Sequence, residues 1–81
     1  MLLVYVKARE CKVGYSVSKK NGKAVVRNRI KRQLRAVMRS YLSKLGNYYL
    51  VVVPKVAEEY DFHKFEKDVK FLLEKEKLLN D

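Results

Sequence analysis

No aspartate or glutamate occurs between Cys11 and Ala57. Metal-dependent nucleases and paired-carboxylate hydrolases need acidic side chains, so more than half of the chain cannot supply that chemistry. The single cysteine, Cys11, excludes an internal disulfide and is read as an incidental thiol in a turn. Together with the lone His63 it cannot build a metal site, so no catalytic or metal-ligating residue is expected from this chain. A reducing cytoplasm suits such a composition. No apolar run approaches the roughly 18 residues of a membrane span. The opening "MLLVYV" is too short for a signal-peptide core and has no basic residues before it. There is no internal repeat, linker or low-complexity segment.

What is present is positive charge, unevenly placed. The chain has 81 residues and a formal net charge of +10. That length predicts a single domain over residues 1–81, close to the lower limit for folding alone. The acid-free segment holds 12 lysines and arginines, whereas residues 58–81 hold eight acids against five bases. The basic charge therefore belongs to the middle of the chain, and the C-terminal segment reads as a mixed-charge, solvated element. A charge of this size is a statement about partners, either a phosphate backbone or an anionic membrane surface.

The pattern predicts the order β-β-α-β-α, an α+β fold with both helices on a small sheet. "LLVYV" (2–6) is a short β-rich run. "KVGYSVSKK" (12–20) alternates Val13, Tyr15 and Val17 with Gly14, Ser16 and Ser18, the period of a half-buried strand. The small face would let a ligand or helix approach the sheet, and the two strands are expected to pair antiparallel. Asn21-Gly22 marks a turn. From Val25 to about Lys44 apolar residues recur at helical spacing, with Gly46 placed to end the helix. "YYLVVVPK" (48–55) reads as a well-buried strand stopped by Pro54. A second helix begins after Asp61, a good N-cap, and carries Phe62, Phe65, Val69, Leu72 and Leu73 on one side through about Leu79.

The first helix holds Arg27, Arg29, Lys31, Arg32, Arg35 and Arg39. At about 100° per residue, Val26, Ile30, Leu34, Val37 and Tyr41 fall within about 80° of one another. Arg27, Lys31, Arg35 and Arg39 step by four in a row that starts at the edge of that stripe, and Arg29 with Arg32 point roughly the other way. A solvated helix usually mixes signs and gains from i,i+4 pairs; this one has no acid to pair with. Five of its six cations are arginine, which suits bidentate phosphate contacts. The pattern points to nucleic acid. A membrane surface fits less well, because the apolar face is needed for the core. Lys19, Lys20 and Lys23 lie in a glycine-containing loop ahead of the helix, although the spacing is not that of a P-loop. Asn28, between two arginines, could contact a base, a phosphate or a metal-bound water, or be simply solvated. Tyr5 and Tyr15 could offer ring faces to bases or belong to the core.

The run "VGYSVSKKNGKAVVRNRIKRQLRAVMR" resembles the protein subunit of bacterial ribonuclease P. The elements that carry the likeness are Val13-Gly14, Ser16 to Lys20, Gly22, Ala24-Val25, Arg27-Asn28-Arg29, Lys31-Arg32 and Arg35. The later "YYLVVVPK" and "YDFHKFEKDVKFLL" extend it over essentially the whole chain. The resemblance implies the α+β fold shared with the second domain of a small-subunit ribosomal protein, with a left-handed βαβ crossover. It implies a partner, the catalytic RNA of ribonuclease P, which with Mg²⁺ as cofactor removes the 5′ leader of precursor tRNA. In that arrangement the RNA performs the catalysis. It further implies that Lys19, Lys20, Asn28, Arg29 and Arg32 face the catalytic RNA, while Tyr5, Arg27, Lys31 and Arg35 face the leader. A generic RNA-binding or RNA-chaperone module is the alternative reading, and a stand-alone nuclease is disfavoured by the missing carboxylates. The family usually carries an N-terminal extension with a short helix rich in basic residues and Phe. Here Met1 leads at once into the strand, through a natural shortening, a chosen boundary or a misassigned start. An exposed sheet face and self-association through it are the expected consequence.

Overall fold

The computed structural model describes residues 1–57 and 60–79. Strands β1 (Leu2–Lys7), β2 (Lys12–Tyr15) and β3 (Tyr48–Val53) and helices α1 (Ala24–Arg39) and α2 (Phe62–Lys75) follow in the expected order, with a 3-10 turn at Lys19–Asn21. The sheet order is β1-β3-β2. β1 pairs antiparallel with β3, from Leu2 opposite Val53 to Lys7 opposite Tyr48, and β2 pairs parallel with β3, from Lys12 opposite Tyr49 to Tyr15 opposite Val52. β1 and β2 therefore do not pair with each other, contrary to the expectation from their short connection. That connection crosses the start of β3, where the Ala8 amide donates to the Asn47 carbonyl at 3.0 Å. β3 is the run richest in aromatic and β-branched residues, and the central position gives it a ladder on both edges. The parallel β2–α1–β3 unit supplies the βαβ crossover.

Both helices cover the same side of the sheet. The core joins Ile30, Leu34, Val37 and Met38 of α1 to Leu50 and Val52 of β3 and to Phe65, Val69 and Leu73 of α2. β3 is consequently buried on one face only, not throughout, and Tyr49 and Val51 are exposed. With Leu2, Val4 and Val6 of β1 they form an open apolar sheet face. Gly14 and Ser16 lie exposed on that side too. No helix approaches Gly14, where an added Cβ would meet only the Val51 side chain at 4.0 Å.

Two helix ends depart from expectation. α1 stops at Arg39 rather than near Lys44. The chain tightens into successive turns, Tyr41 N–H to Met38 O at 2.9 Å and Lys44 N–H to Tyr41 O at 2.8 Å. This delivers the buried Leu45 to a bridge with Leu79, and the Gly46 amide donates to Leu78 O at 3.0 Å instead of capping a helix. α2 begins as expected, the Asp61 carboxylate accepting from the His63 amide at 2.9 Å. It ends at Lys75 because Lys77 takes a positive φ of 56°. The Leu78 amide then bonds Leu73 O at 3.0 Å and the Lys77 amide bonds Glu74 O at 3.2 Å. This is the double bond of a Schellman stop. A non-glycine residue there is disfavoured by about 1–2 kcal/mol, which the burial of Leu78 at 2% exposure offsets.

Candidate nucleic-acid interface

The basic residues of α1 divide as the 3.6-residue period requires. Arg27 and Lys31, beside the core stripe, are half-buried, whereas Arg29, Arg32, Arg35, Arg39 and Asn28 are exposed. Among the described residues one ion pair occurs, Lys12 with Glu10 at 3.2 Å, so no cation of α1 has a carboxylate partner. Arg35 lies over the Tyr15 ring at 5.8 Å, which ties the Arg27-Lys31-Arg35 row to β2. Burial raises the Tyr15 hydroxyl pKa above its ordinary 10.0, and the Arg35 charge opposes the rise. Among the described residues Arg27 Nε and Gln33 Oε1 are buried atoms without a hydrogen-bond partner, and both sit on α1.

Tyr5 is placed elsewhere. It lies on the helix-bearing face of β1, its hydroxyl donating to Glu76 Oε2 at 2.9 Å and its ring edge-on to Tyr48 at 5.8 Å. The hydrogen bond to Glu76 is the main cause of its raised pKa. Among the described residues no hydrogen bond or ring contact joins Tyr5 to Arg27, Lys31 or Arg35. The structure thus brings Tyr15, not Tyr5, against the row.

Lys19 and Lys20 are exposed on the 3-10 turn that precedes α1. Lys23 occupies the α1 N-cap position without a side-chain cap, and the first turn of α1 holds no acid. Gly22 adopts φ 132°, and a Cβ there would press on Val26 at 3.0 Å. Glycine is therefore required between the lysine turn and the helix. Reading the sequence alone missed Asn21 and Gln33. Gln33 had a signal, since at about 100° per residue it falls about 20° from Val26, just outside the edge of the apolar stripe of α1. Asn21 had a weaker one, three residues after Ser18 at capping-box spacing. Among the described residues no three His, Cys, Asp or Glu side chains come together to hold a metal, and no helix is long and apolar enough to cross a membrane.

The fold that carries this basic helix is shared with known structures. The model of the ribonuclease P family matches residues 1–77. The chain belongs to the ribonuclease P family. It is 48% identical over 59 residues to the ribonuclease P protein component of Streptococcus agalactiae, covering 72% of this chain and 54% of that one. Identity to the corresponding component of a Nitratiruptor species is 37% over 76 residues, covering 91% of this chain and 69% of the relative. The structure of the Staphylococcus aureus RNase P protein superposes with a TM-score of 0.84 at 26% identity, covering 96% of this chain and 75% of that one. The chain spans little more than half the length of the S. agalactiae relative. The three-stranded mixed sheet with two helices described above is what superposes on the S. aureus structure.

Proposed function

We propose that this chain acts as the protein subunit of a ribonuclease P ribonucleoprotein, binding the catalytic RNA and the 5′ leader of precursor tRNA. The observation that carries the reading is the α1 surface, with cations on two faces and, among the described residues, no carboxylate paired to any of them. Family membership supports it. Phosphate neutralisation by such a surface supplies affinity without chemistry at a side chain. In this reading Arg29, Arg32, Asn28, Lys19 and Lys20 contact the catalytic RNA. Arg27, Lys31 and Arg35 follow the leader, with Tyr15 beneath Arg35 as a stacking surface. Tyr5 joins the leader contacts by exchanging its bond to Glu76 for one to the strand. Cleavage belongs to the RNA and its Mg²⁺. The acid-free run from Cys11 to Ala57, which holds the basic residues of α1 and its preceding turn, offers no carboxylate to a metal ion. A cytoplasmic location accords with such a partner.

The test is reconstitution at low Mg²⁺ with a bacterial ribonuclease P RNA and a precursor tRNA bearing a long leader. Strong stimulation of 5′ cleavage is expected. Tight, salt-sensitive RNA binding without stimulation would favour the generic RNA-binding module instead.

The open sheet face carries a separate part of the proposal. Leu2, Val4, Val6, Tyr49 and Val51 make it apolar, and the exposed Lys12 at its rim is already paired with Glu10. Such a face offers phosphate groups nothing to bind, so a second copy of the chain is its proposed occupant, the apolar burial working against the repulsion of two chains of charge +10. Sedimentation across a concentration series should show dimers that Val4→Lys abolishes; a monomer at every concentration would reject this part alone.

A further inference from the structure

Asn21 is the one buried polar residue among those described, at 6% exposure. Its side chain uses its full hydrogen-bonding capacity. Oδ1 accepts from the Ser18 amide at 3.0 Å and from the Ser18 hydroxyl at 3.3 Å. Nδ2 donates to the Tyr60 hydroxyl at 2.9 Å and to the Lys55 carbonyl at 3.4 Å. The Tyr60 oxygen accepts in addition from the Ala57 amide at 3.0 Å, and its ring stacks on the buried Phe65 at 6.0 Å. The network therefore fastens the lysine turn, 34 and 39 residues away in sequence, to the connection between β3 and α2.

An apolar residue could fill the same space with no polar group to satisfy. A buried amide left short of partners is unfavourable by about 1–3 kcal/mol. Complete satisfaction therefore selects one geometry, because any other leaves part of the amide unpaired. What this geometry controls is the backbone immediately before it. Lys19 and Lys20 lie inside the loop closed between Ser18 and Asn21, where the Lys20 amide bonds the Ser18 hydroxyl at 3.3 Å. Their side chains are exposed and make no ion pair among the described residues. Two long flexible cations on a mobile loop would lose much of their binding energy to ordering; on a fixed loop they lose less.

We propose that Asn21, with Tyr60, is a positioning residue for RNA binding, holding the Lys19-Lys20 turn so that both ammonium groups meet the RNA backbone together. This rests on the reading that the two lysines contact the catalytic RNA. The experiment measures affinity for a bacterial ribonuclease P RNA across a salt series. It compares the unaltered chain, Asn21→Leu, Tyr60→Phe, the pair Lys19→Ala/Lys20→Ala, and Asn21→Leu combined with that pair. Asn21→Leu should weaken binding by about fivefold to tenfold and reduce the slope of log K against log salt by one to about two, toward the double-lysine value. In the combined variant it should add little to the lysine losses, because both act on the same contacts. Tyr60→Phe keeps the ring on Phe65 and should give the same change in slope at smaller size, which decides the matter if Asn21→Leu does not fold. A normal slope in both Asn21→Leu and Tyr60→Phe, with the lysine pair still deficient, would overturn the positioning role alone. An inert lysine pair would overturn the RNA reading of the turn and the positioning role with it.

Discussion

Helices α1 and α2 bury apolar stripes against the same sheet face, Ile30, Leu34, Val37 and Met38 from one and Phe65, Val69 and Leu73 from the other. Their outer surfaces follow different rules. α1 carries Arg29, Arg32, Arg35 and Arg39 into solvent with no acid on the helix, while α2 mixes Lys64, Lys67 and Lys70 with Glu66 and Asp68. α2 has a side-chain N-cap from Asp61 and α1 has none. The inner faces thus answer to packing in both helices. Only the outer face of α2 is arranged as solvation alone would arrange it, which supports the proposal that binding belongs to α1.

If the inner faces are equivalent, equal damage to each should cost alike. Leu34 and Leu73 are both fully buried. Leu34→Ala and Leu73→Ala should each lower the unfolding free energy by about 2–5 kcal/mol, read from denaturant midpoints. A large loss in one and none in the other would show that one helix is held by something other than the shared core.

The outer faces should respond unequally. Arg29→Ala/Arg32→Ala should weaken assembly with the catalytic RNA by tenfold or more, and the salt slope should fall by about two. Arg27→Ala/Lys31→Ala should act mainly on substrates with a long leader. Lys67→Ala/Lys70→Ala on α2, which removes the same charge, should leave both assays unchanged. Equal losses from all three pairs would reduce the interface to net charge and dissolve the distinction between the helices.

Much of this was legible in the sequence, for identifiable reasons. The α1 faces follow from a fixed 100° step, so Arg27 and Lys31 fall beside the core and Arg29 and Arg32 outside it as the spacing requires. Asp61 declared the start of α2 through a local side-chain bond. What was not legible depends on partners remote in the chain. The insertion of β3 between β1 and β2 is decided by competition among strands, which no single run encodes. The early end of α1 depends on Leu45 reaching Leu79. The end of α2 is a Schellman stop with Lys77 where glycine would have announced it. Asn21 looked like half of a turn dipeptide, because its partners Lys55 and Tyr60 lie in another part of the chain. Tyr5, grouped with the basic row by resemblance, meets Glu76 instead.

That last difference sharpens the comparison at its smallest scale, since a tyrosine on each edge strand lies beside a charge from the helical side of the fold. Tyr15 lies under Arg35 of α1, and Tyr5 bonds Glu76 just beyond α2. Both hydroxyls titrate above 10.0, but from different causes. For Tyr15, burial disfavours the phenolate and Arg35 partly restores it, so Arg35→Ala should push its pKa higher still. For Tyr5, the Glu76 carboxylate accepts the phenolic proton's hydrogen bond and repels the phenolate. Glu76→Gln, which removes that charge, should therefore bring its pKa down toward 10.0. The absorbance of tyrosinate, followed through alkaline titration with Tyr15→Phe and Tyr5→Phe to assign the two steps, reads both changes. Opposite signs would place the positive field at β2 and the negative one at β1, so that an RNA strand following the basic row reaches Tyr5 only by displacing Glu76 from its hydroxyl. A shift of the same sign in both variants would mean that the two edges share one field, and the polarity of the sheet inferred from α1 and α2 would be lost.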